Sequence, residues 1–188
     1  MDTRLRLIQV CADLLNRSGP ELSMRAVCEA AGVTAPTLYH HFGDKQGLID
    51  ATVASAFDRY LTRKENEISA EVDLIDELRQ GWDLHVDFGR SNPILYTLMF
   101  PTVNPAELPS AARKAWKMLQ SSMERAERKG QLTLDADTAI HALWAAQYGI
   151  TRLICSGGEQ LLDAERLSAI IRDAVISAIT SSDLTLHE

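Results

Sequence analysis

Apolar residues recur at steps of three and four along almost the whole chain, and this spacing restricts the fold more than any other feature of the sequence. Leu5, Ile8, Ala12 and Leu15 fall on one face of a first predicted helix. No segment alternates apolar and polar residues in the way a half-buried strand does. The sequence therefore predicts an all-α fold.

Capping and turn residues divide the first third of the chain into four helices. The predicted caps and breaks are Gly19-Pro20, Ser23, Gly32, Thr34 with Pro36 in the following turn, and Phe42-Gly43-Asp44. The second helix is expected to run to about Ala30, and a long fourth helix is expected over residues 44–62. The charged stretch from Thr62 to Glu71 is predicted to separate two helical units.

The remaining residues predict further helices, of which the last two are the most apolar. The expected elements are an amphipathic helix from Ile75 to Gly89, a short apolar segment ending at Phe100, a loop over 101–109 with three prolines, a helix from Ala112 to Ala126, a helix opened by Asp135 or Asp137, and a last helix from Asp163. Exposed apolar patches of this size mark association surfaces. We therefore expect a homodimer through helices of about 137–155 and 163–180.

Charge is distributed unevenly between the two ends of the chain. The net charge is −7, yet residues 1–64 carry eight basic and seven acidic side chains, so the acidity belongs to the remainder. DNA binding by the N-terminal part would thus depend on a local arrangement of donors and not on bulk charge.

The absence of a signal peptide pattern and of a long apolar run predicts a cytoplasmic protein without a membrane span. The three cysteines are expected to be reduced and buried.

The segment from Leu22 to Leu48, LSMRAVCEAAGVTAPTLYHHFGDKQGL, is the most informative. Small Ala30 and Ala31 allow two helices to cross closely, and Gly32 allows a tight turn. A small shared core is expected from Val27, Val33, Leu38 and Phe42 with Ile8 and Ala12 of the first helix. Small polar and aromatic side chains then remain outside the third helix, which suits insertion into a DNA major groove.

This segment also resembles the signature of the TetR family of bacterial transcriptional regulators. The resemblance lies in the alanine-glycine-valine turn, the Leu-Tyr-His-His-Phe run and the Lys that opens the fourth helix. It implies a helix-turn-helix at about 23–42 within a three-helix DNA-binding domain over 1–47. It also implies a larger helical domain over 48–188 for effector binding and dimerisation, with the fourth helix as connector.

The resemblance assigns DNA contacts residue by residue. The implied contact residues are Arg25, Thr34, Ala35, Pro36, Thr37, Tyr39, His40 and Lys45. Tyr39 and Lys45 would bind phosphates, and Lys45 would do so beside the free N–H groups of a helix N-terminus. The tip of the third helix lacks Arg and Gln, so specificity is expected to rest on thymine methyl contacts and on DNA shape.

Each of these residues also has a structural explanation. Packing on the first helix explains an aromatic residue at Tyr39 equally well. Lys45 is equally explained as an ordinary surface lysine with a solvated side chain. The His40-His41 pair suggests metal binding, but adjacent helical residues do not share a face and no zinc spacing surrounds them. No metal or cofactor is therefore expected.

The later helices resemble C-terminal domains of the same family more loosely, in WDLHVDFGRSNPILYTLMF and ALWAAQYGITRL. The candidate effector-binding residues are Trp82, His85, Phe88, Tyr96, Met99, Phe100, Met118, Met123, Trp144, Gln147 and Tyr148. His85 and Gln147 are the expected orienting groups, because buried polar side chains need partners. Aromatic and Met residues at helical spacing also suit an ordinary core. His141 is a candidate for the dimer interface.

The resemblance implies a regulator, preferentially a repressor, that a small apolar or aromatic effector releases from a palindromic operator. Effector would act by favouring one of two conformations. Two alternatives remain at this point: an enzyme, for which no catalytic motif is found, and a helical ligand-binding or protein-interaction module that has lost DNA binding.

Overall fold

The computed structural model describes residues 2–18, 21–67, 73–102, 104–157 and 163–181, and most of these residues are helical. The helices are α1 (Thr3–Ser18), α2 (Met24–Ala31), α3 (Ala35–Phe42), α4 (Lys45–Glu67), α5 (Leu74–Ser91), α6 (Pro93–Met99), α7 (Ser110–Arg128), α8 (Ala136–Cys155) and α9 (Ala164–Ile179). Extended pairing in the described residues is confined to one antiparallel bridge between Leu132 and Thr180. The predicted all-α fold is confirmed.

Most predicted helix ends coincide with the observed ones. Ser23 is the N-cap of α2 and its Oγ accepts from Ala26 N at 3.3 Å. Gly32 follows α2 with φ +63°, a conformation that favours glycine. Asp135, and not Asp137, caps α8. The predicted break at Gly19-Pro20 lies outside the described residues.

Two expectations about the first four helices are wrong. Leu5 is 53% exposed, because the buried stripe of α1 includes Leu7 and Cys11, and Leu5 lies about 200° around the helix from Leu7. Helix α4 continues past Thr62 to Glu67. The charged residues at its end are good helix formers with solvated side chains, so a run of charge does not end the helix.

The helix-turn-helix and the later helices have separate cores that meet at α6. The first core contains Ala12, Val27 and Leu38, with Val33 and Phe42 packed against it, as expected. Ile8 is buried but is not part of this cluster, in which α1 is represented by Leu7, Cys11, Ala12 and Leu15. Leu95 of α6 is also part of this core. Helix α6 therefore packs directly against the N-terminal helices α1 and α4.

Helices α5 and α8 form the centre of the C-terminal part, with α7 and α9 packed against α8. Gly89 of α5 lies so close to α8 that an added Cβ would be 2.2 Å from Thr151 Cγ2. Trp82 Nε1 of α5 donates to Ser168 Oγ of α9 at 2.9 Å. In the described part of the chain, no helix is long and apolar enough to cross a membrane.

Candidate nucleic-acid interface and effector cleft

Helix α3 presents a polar and aromatic face outside the N-terminal core. Leu38 is fully buried, whereas the neighbouring Tyr39 is 48% exposed. Thr34, Ala35, Pro36 and His40 are exposed and Thr37 is partly buried. The hydroxyls of Thr34 and Thr37 are 3.0 Å apart, and Thr34 makes no side-chain cap of the helix backbone. The two hydroxyls are therefore hydrogen-bonded to each other at the start of α3.

Arg25 and Lys45 flank this face. The side chain of Arg25 is 88% exposed and its Nε lies 2.8 Å from Glu29 Oε1. A phosphate contact by Arg25 would thus replace an exposed ion pair, which contributes little to stability. Lys45 is exposed at the first residue of α4, where Asp44 Oδ1 accepts from Gly47 N at 2.8 Å. All eight predicted DNA-contact residues lie on α2, on α3 with its N-cap, or at the first residue of α4.

Arg4 is a further basic group beside α3 that the sequence analysis missed. Its guanidinium lies 5.4 Å from the centroid of the Phe42 ring, a cation–π geometry. Helix α1 was expected to contribute only to packing, although Arg4 and Arg6 near its start are basic residues that could have indicated a DNA contact. No cluster of three potential metal ligands occurs among the described residues, including those around His40 and His41.

His85 lies at the centre of an aromatic cluster in the C-terminal part. Its Nδ1 is 3.5 Å from Tyr60 Oη, and its Nε2 is 2.9 Å from Tyr96 Oη. Its ring is also 5.2 Å from Phe100 and 5.9 Å from Trp144, measured between centroids. Helices α4, α5, α6 and α8 each supply part of this cluster.

The environment keeps the His85 imidazole neutral. Burial, together with the positive charge of Lys64, lowers its pKa to about 3. Burial also raises the pKa of both Tyr60 and Tyr96. A neutral imidazole has one donor and one acceptor nitrogen, so His85 links the two hydroxyls without a charge.

A cleft of about 390 Å³ opens beside this cluster, between α4, α5, α7 and α8. Its apolar wall includes Trp82, Met118, Leu119 and Leu143. Lys64, Leu119 and Gln147 also line a hollow of about 20 Å³ that reaches His85, Phe100 and Trp144. This is the size of a small-molecule site, with an apolar wall and a few polar groups.

Only some of the predicted effector-binding residues line the cleft or the hollow. Trp82, Met118 and Gln147 line the cleft, and His85, Phe100 and Trp144 line the hollow behind it. Tyr96, Met99 and Tyr148 pack in or against the aromatic cluster, and Phe88 borders another surface pocket. Met123 is fully buried in a different core with Leu78 and Ile140. It lies about 140° around α7 from Met118, which explains why only Met118 reaches the cleft.

Charged residues of the cleft were not predicted. Glu77 accepts from Ser122 Oγ and lies 3.1 Å from Arg125 Nη2. Lys64 lies in the part of α4 that was predicted to separate two helical units, where no ligand contact was expected. Burial lowers the pKa of its ammonium, an effect that Glu77 partly opposes.

The outer faces of α8 and α9 combine small and apolar side chains. Leu153 and Ile170 are 39% and 56% exposed. Ala145, Gly149, Ala174 and Ala178 are also exposed on these helices. His141, the residue of α8 that was predicted as a candidate for the dimer interface, is exposed. The centroid of its ring lies 5.3 Å from that of Trp116.

Comparison with known families accounts for both parts of the chain. A model for the N-terminal domain of bacterial regulatory proteins of the tetR family matches residues 7–52. A model for the tetracyclin repressor-like C-terminal domain matches residues 78–175. The N-terminal match contains α2, α3 and the start of α4. The C-terminal match contains most residues that line the cleft, but Lys64, Glu65 and Glu77 lie outside it.

Individual relatives agree with this assignment. The HTH-type transcriptional regulator UidR of Escherichia coli (strain K12) is 26% identical over 144 residues, which is 73% of each chain. A TetR family protein from Vibrio parahaemolyticus has a TM-score of 0.70 at 23% identity, covering 96% of this chain and 100% of its own. The regulator FadR from Bacillus subtilis, solved with stearoyl-CoA, has a TM-score of 0.73 at 15% identity, covering 93% and 98%.

The C-terminal model alone spans more than half of the chain, and the N-terminal model covers the helix-turn-helix. The relatives are transcriptional regulators and not enzymes. The chain therefore belongs to the TetR family, and it is a helix-turn-helix transcriptional regulator.

Proposed function

We propose that this chain is a ligand-responsive repressor, which binds a palindromic operator as a homodimer and is released by a small effector with an apolar or aromatic body. The observation that carries the proposal is the joint occurrence of an exposed α3 and a ligand-sized cleft on one chain, with α6 between them. The effector site would be the cleft together with the hollow beside His85.

The two sites have a direct physical connection. Leu95 and Tyr96 are adjacent on α6 and both are fully buried, but Leu95 packs in the N-terminal core and Tyr96 in the aromatic cluster. Asn16 Nδ2 of α1 also donates to Asn92 Oδ1, at 3.3 Å, where α6 begins. A ligand that shifts the aromatic cluster would therefore shift α6 against the helix-turn-helix.

The regulation would be a population shift between two conformations of the dimer. One conformation would hold the two α3 helices at the spacing of adjacent major grooves, and effector would bind the other one more tightly. We propose residues 1–47 as the DNA-binding domain, residues 48–188 as the effector and dimerisation domain, and α4 with α6 as the connection. The stearoyl-CoA complex of the FadR neighbour supports a ligand-binding role for this fold.

The DNA contacts can be tested with sequences that the protein selects from a randomised duplex library. Fluorescence anisotropy would compare wild type with Tyr39→Phe and Lys45→Ala, with Lys129→Ala at the end of α7 as control. Each of the first two changes removes one phosphate contact, so roughly tenfold weaker binding is expected from each. Lys45→Ala should also reduce the slope of log affinity against log salt by about 1.

Selected DNA that binds both variants as tightly as wild type would refute the proposed contacts. A library selection that yields no sequence would refute operator binding itself. In that event the chain would be a helical ligand-binding protein.

A further inference from the structure

Lys64 is the cation at the junction of the cleft and the hollow. It lies one turn after Tyr60 on α4 and lines both spaces. Its side chain is partly buried, and the nearby walls are the apolar Leu119, Trp116 and Trp82. An ammonium group in such surroundings loses much of its hydration, which is costly unless an anion replaces the water.

The carboxylates that line the cleft are already paired. Glu77 is held by Arg125 at 3.1 Å and by the Ser122 hydroxyl. Glu65 lies 3.5 Å from Lys114 Nζ. Among the described residues, Lys64 has no carboxylate within ion-pair distance. A cationic ligand would therefore find both carboxylates occupied. An anionic ligand would find an ammonium that no described carboxylate contacts directly, since Glu77 acts on it only from beyond ion-pair distance.

We propose that the effector is an organic anion, a carboxylate or similar acid on an apolar body, whose charged group pairs with Lys64. The apolar body would lie against Trp82, Met118 and Leu143, and Gln147 would supply a further polar contact. This inference rests on the proposed effector role of the cleft and specifies the class of ligand. A charge-assisted hydrogen bond to a shielded ammonium discriminates strongly against a neutral analogue.

The test uses two matched pairs of probes, decanoate with decanol and naphthoate with naphthylmethanol. Isothermal titration calorimetry on the full-length protein without DNA measures their affinities. Wild type should bind each acid roughly ten- to a hundredfold more tightly than its alcohol. Lys64→Met should lose this preference and keep the affinity for the alcohols, whereas Lys64→Arg should retain it.

Lys117→Met is the matched control, because Lys117 is an exposed lysine of α7 that borders a different groove. Circular dichroism checks that each variant folds, and Lys64→Gln replaces Lys64→Met if the methionine variant does not. Equal binding of acid and alcohol by wild type would overturn the proposal. Unchanged acid binding by Lys64→Met, or no binding of either acid at millimolar concentration, would also overturn it.

The effector role is measured separately, by adding decanoate and naphthoate to the complex with selected DNA. Acids that bind through Lys64 without releasing DNA would leave the anion site intact and refute its role as effector site. DNA binding with no acid binding would refute the anion site and leave the DNA-binding function intact.

Discussion

The protonation state of His85 is set by its surroundings. The ring lies between the hydroxyls of Tyr60 and Tyr96, with Lys64 as the nearby cation that disfavours a second positive charge. Folding thus requires a neutral imidazole, whereas the unfolded chain has an imidazole of ordinary pKa, about 6.5. Proton binding by this residue consequently favours the unfolded state.

This difference predicts a pH-dependent stability. The pKa of His85 is about 3 in the folded protein. The contribution of the neutral imidazole to the unfolding free energy is therefore complete above pH 6.5 and is lost as the pH falls towards 3. Between pH 7 and pH 5 wild type should lose about 2 kcal/mol of unfolding free energy that His85→Gln does not lose. Urea unfolding at a series of pH values measures both proteins, and parallel pH profiles would contradict the prediction.

Individual site residues differ in how far the sequence could predict them. His85 and Gln147 were identifiable, because polar side chains within apolar helices need buried partners. Met118 and Met123 were not distinguishable, since only the rotation of α7 in the bundle decides which one reaches the cleft. Lys64 could not be predicted, because its environment depends on the packing of α4 against α5, α7 and α8, and α7 and α8 are distant in sequence.

At the scale of elements, helix positions followed from local chemistry. Ser23, Gly32 and Asp135 each act within one turn of their own position, so their capping and turn roles could be predicted. The end of α4 could not, because a charged segment is compatible both with a solvated helix and with a linker. The connection of α6 to both cores depends on long-range packing and has no local signature.

The crossing of α5 and α8 depends on the missing side chain of Gly89. A Cβ there would be 2.2 Å from Thr151 Cγ2 and 3.2 Å from Tyr96 Cδ2. Gly89→Ala should therefore lower the unfolding free energy by about 1–3 kcal/mol through overpacking. Urea denaturation gives this value.

Thr151→Ser provides the test of mechanism, since it removes the methyl group and keeps the hydroxyl that donates to Gln147 O at 2.8 Å. Combined with Gly89→Ala, it should recover part of the lost stability. Strictly additive effects of the two substitutions would show that the crossing is not limited by this contact.

At the scale of the whole molecule, the exposed faces of α8 and α9 predict how two copies associate. Ile170 and Leu153 are large apolar side chains among small ones, as in a closely packed helix interface. Ile170→Asp and Leu153→Asp should shift the protein from dimer to monomer in light scattering after size exclusion. On the proposed palindromic operator a single copy would contact only one half-site, so operator affinity should fall as well.

Leu5→Asp is the matched control for this experiment. Leu5 is 53% exposed, close to the 56% of Ile170, but it lies on α1 in the N-terminal part. Leu5→Asp should therefore leave the dimer intact. A dimer that also survives Ile170→Asp and Leu153→Asp would place the interface elsewhere.

The two-sided packing of α6 has a consequence for protein engineering. A chimera that joins the N-terminal helices of one regulator to the sensory helices of another, cut within α4, would combine an α1 with a foreign α6. The packing of Leu95 in the N-terminal core and the hydrogen bond between Asn16 and Asn92 would then be disrupted. A chimera built from this chain should accordingly exchange the α6 residues that face α1 together with the N-terminal helices.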